Sequence, residues 1–339
     1  MTLSLDQTEA VFNQMLAGQM AESDIRDLLV TMAHRGETAA EIAGAARGMR
    51  AHMVRIAAPE GAIDVCGTGG DGSHSLNVST AVALVVAACE VPVAKHGNRA
   101  ASSKAGAADT LEALGLDLNR AAETAEACLG DLGICFLFAQ RHHPALAAIM
   151  PIRRAIGRRT IFNLLGPLCN PAGVKRQLVG VADPALIPVY ADALTQLGSK
   201  SAMVVAGDEP LDELSISGPS SLMQTSINSG PAALPTGLAG ASHNTVVRIT
   251  PADVGLCTHP RKALQGGDAA YNAAALRRLL LGEQETAQDR AYRDAVLFNS
   301  AAALIVANPA SDWQSGIEEA AEAIDKGLAN ALLNCWVRY

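Results

Sequence analysis

Residues 63–72 have the sequence IDVCGTGGDG, and this stretch decides how the rest of the chain is arranged. It begins as a short apolar run with β-branched residues, which is typical of a buried strand, and passes at once into four glycines. The sequence NVST at 77–80 then opens an apolar segment that extends to Cys89. This order predicts a strand, a glycine loop and the N-terminus of a helix.

A second strand-to-helix turn follows the first. Another apolar run leads into KHGNR at 95–99, and Ser102 and Ser103 then start a further helix. Glycines let a backbone come close to a ligand, and the start of a helix carries partial positive charge. Such turns lie outside the carboxyl ends of parallel strands, where open α/β sheets bind ligands. With the charges of Lys95 and Arg99, the two turns predict a site for a polyanion.

The glycine spacing at 67–72 satisfies the dinucleotide pattern G-x-G-x-x-G, but its surroundings do not. A dinucleotide site needs an acidic residue at the end of the second strand, and Lys95 is found there. The P-loop pattern fails as well, because no Gly-Lys-Ser/Thr follows the glycines. Asp71 would repel a bare phosphate and is better explained by contact with a sugar hydroxyl, an amine or a metal. A tight structural turn is the alternative explanation of the first loop.

An acidic segment, GDEPLDE at 207–213, follows the fifth predicted strand. Four carboxylates in so few residues repel one another unless they are solvated or neutralised by a cation. Oxygen ligands with few histidines nearby suit Mg²⁺, which usually bridges protein carboxylates to substrate phosphates. For Asp208 and Glu209 a solvated acidic loop is the preferred interpretation.

Composition excludes several classes of protein. The 339 residues are 49% hydrophobic but only 3% aromatic, so the core is expected to consist mainly of Ala, Leu, Val and Ile. No apolar run approaches the roughly 18 residues of a membrane span, and the N-terminus lacks a basic leader region, which predicts a cytoplasmic protein without a membrane partner. The seven cysteines include no C-x-x-C pair, which predicts free thiols. The net charge of -8 argues against nucleic-acid binding.

The predicted fold class is α/β, with a mainly parallel sheet of about seven strands flanked by helices and a small all-helical domain. The first 55 or so residues predict three helices, the third starting with a capping-box pattern at Thr38 and Glu41. Long helices are expected from Asp268 to Leu281 and from Asp289 to Ala307, and the helix that begins near Asp312 is expected to end the chain. Strands are predicted near 62–66, 91–94, 134–138, 177–182, 201–206, 222–227 and 244–249.

Residues 142–173 interrupt the alternation of strands and helices and are unusually long for one crossover. Four arginines, at 153, 154, 158 and 159, lie close together in this segment. On a continuous helix Arg154 and Arg158 would share a face and Arg153 would not, so the four cannot form one basic surface.

The motifs together resemble those of the anthranilate phosphoribosyltransferases, which join anthranilate to phosphoribosyl pyrophosphate (PRPP) in tryptophan biosynthesis. The resemblance covers nearly the whole chain and implies the fold of the nucleoside phosphorylases and phosphoribosyltransferases. The motifs that carry it are GTGGDG at 67–72, NVST at 77–80, KHGNR at 95–99, Arg153, RTIFNLLGP at 159–167 and LDE at 211–213.

The resemblance also implies roles for individual residues. The residues implied in PRPP binding are Gly67, Gly70, Asp71, Ser75, Asn77, Val78, Ser79, Thr80, Lys95, His96, Gly97, Asn98, Arg99, Ser102 and Ser103. Those implied in anthranilate binding are Gly67, Asn98 and Arg153, with Arg153 on the carboxylate, a partner that a guanidinium fits in geometry and charge. His96 and His143 are implied along the path of the aromatic acceptor. The implied Mg²⁺ ligands are Ser79, Asp212 and Glu213.

The domain organisation that the resemblance implies is discontinuous. Residues 1–60 with about 150–175 would form the helical domain on the acceptor side, through which a homodimer would form. Residues 61–149 with about 176–339 would form the α/β domain that binds PRPP and magnesium.

Two other functions use the same architecture. A pyrimidine nucleoside phosphorylase would carry a Lys-His-Ser-Thr-Gly-Gly loop, which this sequence lacks, and would not need Asp212 and Glu213. A noncatalytic nucleic-acid-binding relative would have a basic groove and eroded site residues, whereas this chain is acidic and retains them.

Overall fold

The computed structural model describes residues 2–100, 104–209, 211–226, 245–308 and 311–339, so the predicted site residues Ser102 and Ser103 lie outside the described residues. Within these ranges the strands form one seven-stranded sheet in the order β3-β2-β1-β4-β5-β6-β7. The first five strands are parallel, while β6 and β7 are antiparallel to their neighbours. The strands are β1 Ile63–Gly67, β2 Val93–Gly97, β3 Ile134–Phe138, β4 Arg176–Gly180, β5 Ser201–Gly207, β6 Ser220–Ser226 and β7 Val247–Ile249.

Helices cover both faces of this sheet, which confirms the predicted fold class. In β4 and β5, Leu178 and Met203 join the core on one face, whereas Val179 and Val204 join the core on the other. This alternation follows from the two-residue period of a strand. The helices are α1 Leu5–Leu16, α2 Glu22–Arg35, α3 Ala39–Ala51, α4 Val78–Ala88, α5 Ala107–Leu114, α6 Leu118–Glu123, α7 Ala125–Leu132, α8 Ala139–His142, α9 Leu146–Ile156, α10 Phe162–Leu165, α11 Ile187–Gln196, α12 Ala269–Leu280, α13 Ala287–Ala307, α14 Trp313–Asp325 and α15 Leu328–Trp336.

The N-terminal helices α1 to α3 form where they were predicted. The capping box at the start of α3 is confirmed, since the Glu41 amide donates to the Thr38 side chain and the Thr38 amide donates to the Glu41 carboxylate. Their apolar faces share a core with residues of α9, α10 and α11 and with one face of the sheet. The segment between β3 and β4 therefore returns to the N-terminal helices.

Three details of the prediction were wrong. The second strand lies two to three residues later than predicted, so Lys95 is inside β2 rather than in the turn after it. Helix α9 ends at Ile156 because Gly157 adopts a positive φ of 66°, so Arg158 is not on the helix of Arg154. The helix near Asp312 does not end the chain, because a left-handed Gly327 breaks it and α15 follows.

The cysteines and the helix lengths agree with the composition. All seven cysteines lie in described residues, and each is a free thiol. Among the helices that the structure describes, none has the length and apolar character needed to cross a membrane.

Candidate active site

The glycine loop lies at the carboxyl end of β1. Gly69, Gly70 and Gly72 have φ values of 69°, 78° and 67°, which side chains of L-residues rarely adopt. These three positions need glycine for the shape of the backbone and not for space, since a Cβ at any of them would meet nothing within 4 Å. Within it, the Asp71 carboxylate accepts a hydrogen bond from the Ser73 amide at 3.1 Å.

The loop borders a cavity of about 480 Å³ at the carboxyl ends of the strands. The cavity brings together residues of the two predicted turns and the acidic pair, Asp212 and Glu213. These three segments are far apart in the sequence. The predicted site residues that line it are Gly67, Gly70, Asp71, Ser75, Asn77, Ser79, Lys95, His96, Gly97, Asn98, Arg99, Asp212 and Glu213. The side chains of Val78 and Thr80 are buried in the first turn of α4 and do not line the cavity.

The acidic pair reaches both parts of the first turn. Asp212 Oδ2 accepts a hydrogen bond from the Gly69 amide at 2.7 Å, and Glu213 Oε1 accepts one from the Ser79 amide at 3.1 Å. Glu213 thus occupies the N-terminus of α4, where the free amides and the helix dipole favour an anion. The other oxygen, Glu213 Oε2, is buried and has no hydrogen-bond partner among the described residues.

Two glycines make this approach possible. A Cβ at Gly67 would lie 1.9 Å from Asp212 Oδ2, and a Cβ at Gly180 would lie 1.5 Å from the Asp212 carbonyl oxygen. Gly67 was among the predicted site residues, whereas Gly180 was not. The available signal was a glycine inside the fourth predicted strand, 177–182, which often marks the close approach of another backbone.

The electrostatics of the acidic pair favour a cation. Burial, together with the charge of Asp71, raises the pKa of Asp212 to about 7. Burial and the neighbouring carboxylates of Asp212 and Asp71 raise the pKa of Glu213 well above its ordinary value. Close carboxylates in a buried site resist ionisation unless a positive charge compensates them.

The donor set fits Mg²⁺ better than a transition metal. In the part of the chain that the structure describes, no three His, Cys, Asp or Glu side chains surround one metal position. The protein therefore offers only part of a coordination shell, and that part is oxygen. Mg²⁺ is commonly held in this way, by one or two carboxylates with substrate phosphates and waters completing its shell. The unpartnered Glu213 Oε2 is a free ligand atom in the right place.

Lys95 is buried at the centre of the site rather than extended from its surface. Only 2% of the residue is exposed, and its Nζ donates to the Val65 carbonyl at 2.7 Å and lies 3.5 Å from Ser79 Oγ. Its charge lowers the pKa of the fully buried Asp64, against a larger effect of burial that raises it. Asp64 also accepts hydrogen bonds from the His96 amide at 3.2 Å and from Asn170 Nδ2 at 2.8 Å.

Asp64 and Asn170 were not among the predicted site residues. The available signal for Asp64 was a carboxylate in the middle of an otherwise apolar strand, which needs buried hydrogen-bond donors. Those donors are the Asn170 side-chain amide and the His96 amide, while Lys95 on the neighbouring strand contributes only through its charge.

The sequence predicted that Arg99 supplies its charge beside the glycine loop. In the structure Arg99 has that charge paired with carboxylates. Its Nη1 donates to Asp109 at 2.9 Å and to Glu112 at 2.5 Å, and its guanidinium lies 5.6 Å from the centre of the Phe138 ring. Two carboxylates therefore offset its charge at the edge of the cavity.

His96 and His143 form a buried pair. Their Nε2 atoms lie 3.3 Å apart, and His96 Nδ1 lies 3.0 Å from the Gly166 carbonyl oxygen. Burial is the main cause that lowers the pKa of His96 to about 3 and that of His143 to about 4. Both imidazoles are therefore neutral at pH 7, which suits contact with an aromatic molecule more than with a phosphate.

Arg153 lies in the last turn of α9 and does not line the cavity. Its guanidinium stacks on Phe162, with 5.2 Å between the Cζ atom and the ring centre, and it is half-buried. The same part of the chain contributes Asn163 to the cavity instead. Arg158 and Arg159 point elsewhere, to the Val30 carbonyl and to Glu37.

Comparison with known proteins gives a consistent result. Residues 59–330 match the model of the glycosyl transferase family, a/b domain, and residues 1–53 match the helical bundle domain of the same family. The chain is 62% identical over 331 residues to the anthranilate phosphoribosyltransferase of Novosphingobium aromaticivorans, covering 98% of this chain and 94% of that protein. It is 59% identical to the enzyme of Sphingopyxis alaskensis, with 99% and 96% covered.

Solved structures show the same relationship. The crystal structure of anthranilate phosphoribosyltransferase from Thermus thermophilus is similar with a TM-score of 0.88 and 38% identity, covering all of this chain and 96% of that one. The enzyme from Saccharomyces cerevisiae in complex with PRPP and Mg is similar with a TM-score of 0.84 and 26% identity, with 98% and 92% covered.

Proposed function

Because this chain belongs to the anthranilate phosphoribosyltransferase family, we propose that it transfers the phosphoribosyl group of PRPP to the amine of anthranilate in tryptophan biosynthesis. The products are N-(5-phosphoribosyl)anthranilate and pyrophosphate. One observation carries the proposal: Asp212 and Glu213 hydrogen-bond to the amides of Gly69 and Ser79, so the acidic pair, the glycine loop and the start of α4 border one cavity.

The reaction exchanges one bond at C1 of the ribose for another. A C–N bond to the amine forms, the C–O bond to pyrophosphate breaks, and the amine then gives up a proton. A loose transition state places positive charge on the ribose and negative charge on the departing pyrophosphate. The chain contributes by holding the substrates in line and by stabilising the leaving group.

The pyrophosphate side of the cavity supplies donors for that leaving group. The loop at 67–72, the start of α4 and the side chains of Ser79 and Lys95 lie around it. The Lys95 amine is buried beside Ser79 and donates to the Val65 carbonyl, so its field acts on the leaving group with little screening. Arg99 contributes less than its formal charge, since Asp109 and Glu112 bind it.

Asp212, Glu213 and the Ser79 hydroxyl are the residues that would hold Mg²⁺. When bound, the ion supplies positive charge that polarises the phosphate oxygens and neutralises the departing pyrophosphate. The Saccharomyces cerevisiae relative was solved in complex with PRPP and Mg, which supports the use of Mg²⁺ together with this substrate.

The acceptor side involves the helical part of the molecule. Arg153 binds the carboxylate of anthranilate, and Asn98 and Gly67 contact the acceptor near the ribose. In this structure Arg153 lies outside the cavity, so the role requires the helical part to move towards the sheet. The moving unit would be residues 1–60 with about 150–175, whose apolar side chains share a core with α11 and one face of the sheet. A homodimer formed through this unit and a cytoplasmic location stay predictions.

Anthranilate fluorescence tests the function directly. The purified protein should remove the fluorescence of anthranilate only when both PRPP and Mg²⁺ are present, and addition of EDTA should stop the reaction. A pyrimidine nucleoside phosphorylase would instead cleave uridine or thymidine with inorganic phosphate, and a noncatalytic nucleic-acid-binding protein would do neither. Persistent fluorescence with both substrates and the metal present would refute the assignment.

A further inference from the structure

The side-chain amide of Asn77 is held in one orientation at the edge of the active-site cavity. Asn77 is the N-cap residue of α4, where an asparagine usually accepts hydrogen bonds from the first helical amides. Its side chain makes no such capping bond within the described residues. Glu213 accepts from the Ser79 amide in its place, so the Asn77 side chain is available for another purpose.

Two donors occupy the carbonyl oxygen of this amide. Thr110 Oγ1 donates to Asn77 Oδ1 at 2.6 Å, and Asn272 Nδ2 donates to the same oxygen at 2.9 Å. Asn272 is oriented in turn, because its own Oδ1 accepts a hydrogen bond from the Gly267 amide at 2.8 Å. Thr110 and Asn272 are 0% and 2% exposed, so water does not compete for these bonds.

The network settles which end of the amide faces the cavity. An amide oxygen accepts two hydrogen bonds, and both positions on Asn77 Oδ1 are taken, so a flipped amide would place NH₂ against two donors. Among the residues that the structure describes, the Asn77 Nδ2 group makes one long contact, 3.4 Å to the Ala105 carbonyl. Tyr292 fixes the backbone by donating to the Asn77 carbonyl at 3.1 Å.

We propose that Thr110 and Asn272 are positioning residues for PRPP, which orient the Asn77 amide so that its NH₂ group donates to a phosphate or ribose oxygen. The inference rests on the proposed function. Neither residue lines the cavity, and they act from α5 and α12 through Asn77. A donor held in advance costs no reordering when the substrate binds, so the effect falls on PRPP binding.

Thr110→Val and Thr110→Ser separate positioning from packing. Valine keeps the shape and removes the hydroxyl, whereas serine keeps the hydroxyl. Thr110→Val should raise KM for PRPP about 10-fold, the effect of one lost hydrogen bond, with kcat changed less than about twofold and KM for anthranilate unchanged. Thr110→Ser should behave as the wild type. Equal KM for PRPP in Thr110→Val and wild type, or parallel losses for both substrates in both variants, would overturn the proposal.

Asn77→Asp provides a second test that does not depend on Thr110→Val folding well. The carboxylate still accepts from Thr110 and Asn272 but has no donor for the substrate. The variant should therefore keep the wild-type Tm and raise the Kd for PRPP at least as much as Thr110→Val, measured by calorimetry with Mg²⁺ present. An unchanged Kd for PRPP would refute the donor role. If the wild type is active and Thr110→Val and Asn77→Asp bind PRPP as the wild type does, this inference alone is rejected. If the wild type itself has no transferase activity, the proposed function is rejected.

Discussion

Gly67 and Gly180 are register partners at the carboxyl ends of β1 and β4, and the backbone and carboxylate of Asp212 lie directly over both. These two strands stand where the strand order reverses, since β1 connects towards β2 and β3 on one side and borders β4 on the other. Ligands of open α/β sheets bind at such a switch point. The glycine pair leaves room there for the loop that carries the acidic residues.

Gly180→Ala should displace this loop. The new Cβ would lie 1.5 Å from the Asp212 carbonyl oxygen, so the loop must move, with a loss of stability of about 1–3 kcal/mol as for other overpacked sites. Transferase activity should fall together with Mg²⁺ affinity. Gly130→Ala is the matched control, because Gly130 lies exposed in α7 with open space around it, and this change should leave activity unaltered. Full activity in Gly180→Ala would contradict the contact.

Asp212→Asn with Glu213→Gln should lower kcat/KM for PRPP by about a hundredfold or more, on the scale of preorganised groups lost from an active site. The double variant should also need far more Mg²⁺ for half-maximal rate, which a magnesium titration of the initial rate would measure. Asp208→Asn is the control, since Asp208 lies in the same acidic segment but pairs with the exposed Arg248. A similar magnesium titration curve for the double variant and the control would exclude the metal role.

Lys95→Met should affect both stability and catalysis. It leaves the buried Val65 carbonyl without its donor and removes the charge that lowers the pKa of Asp64, which should cost about 1–3 kcal/mol of stability, and it should reduce transition-state stabilisation for PRPP by about 2–4 kcal/mol. Adding Asp64→Asn should recover part of the stability, because the uncompensated carboxylate is gone, but not the activity. Urea unfolding and steady-state kinetics of the two single variants and the double variant would measure this. Simple additivity of the stability losses would exclude electrostatic coupling between Lys95 and Asp64.

Arg153→Ala should raise KM for anthranilate by about 10- to 100-fold, the effect of a lost hydrogen bond to a charged group, and leave KM for PRPP near the wild-type value. Arg154→Ala is the control, since Arg154 is the exposed neighbour on the same helix. Initial rates at varied anthranilate and saturating PRPP would show the difference. If the two variants behaved alike, Arg153 would have no role in acceptor binding.

The buried pair of His96 and His143 predicts a loss of stability in mild acid. Their pKa values in the folded protein, about 3 and about 4, lie below the ordinary value of 6.5. Between pH 6.5 and 4 the unfolded chain therefore binds more protons at these two groups, and their contribution to the free energy of unfolding falls as the pH falls, opposite in sign to that of Asp212, whose pKa is raised to about 7. His143→Gln should reduce the pH dependence of the free energy of unfolding by up to about 1.4 kcal/mol per pH unit. Urea unfolding of the wild type and the variant at pH 7 and pH 5 would reveal it, and an equal dependence on pH in the two proteins would contradict the burial of a neutral His143.

Sequence patterns were sufficient for the elements and for most residues of the site. Glycines after an apolar run, a lysine-bearing second turn and a dense acidic segment each have one physical explanation that involves charge or backbone freedom. These features are local, and local propensity places strands and helices to within a few residues. Burial was harder to predict: Lys95 lies inside a strand and is 2% exposed, and its amine donates to the Val65 carbonyl of the neighbouring strand.

The order of residues alone established which chemical groups this protein possesses. They are backbone amides that suit an anion, carboxylates that suit a hard cation and a guanidinium that suits a carboxylate. Folding decided which of them meet. Asp212 reaches Gly69, Asn272 reaches Asn77 and Glu112 reaches Arg99 through contacts between elements that are distant in the chain. The physical reason is that a hydrogen bond or an ion pair depends on distances of a few ångströms, and long-range packing sets those distances.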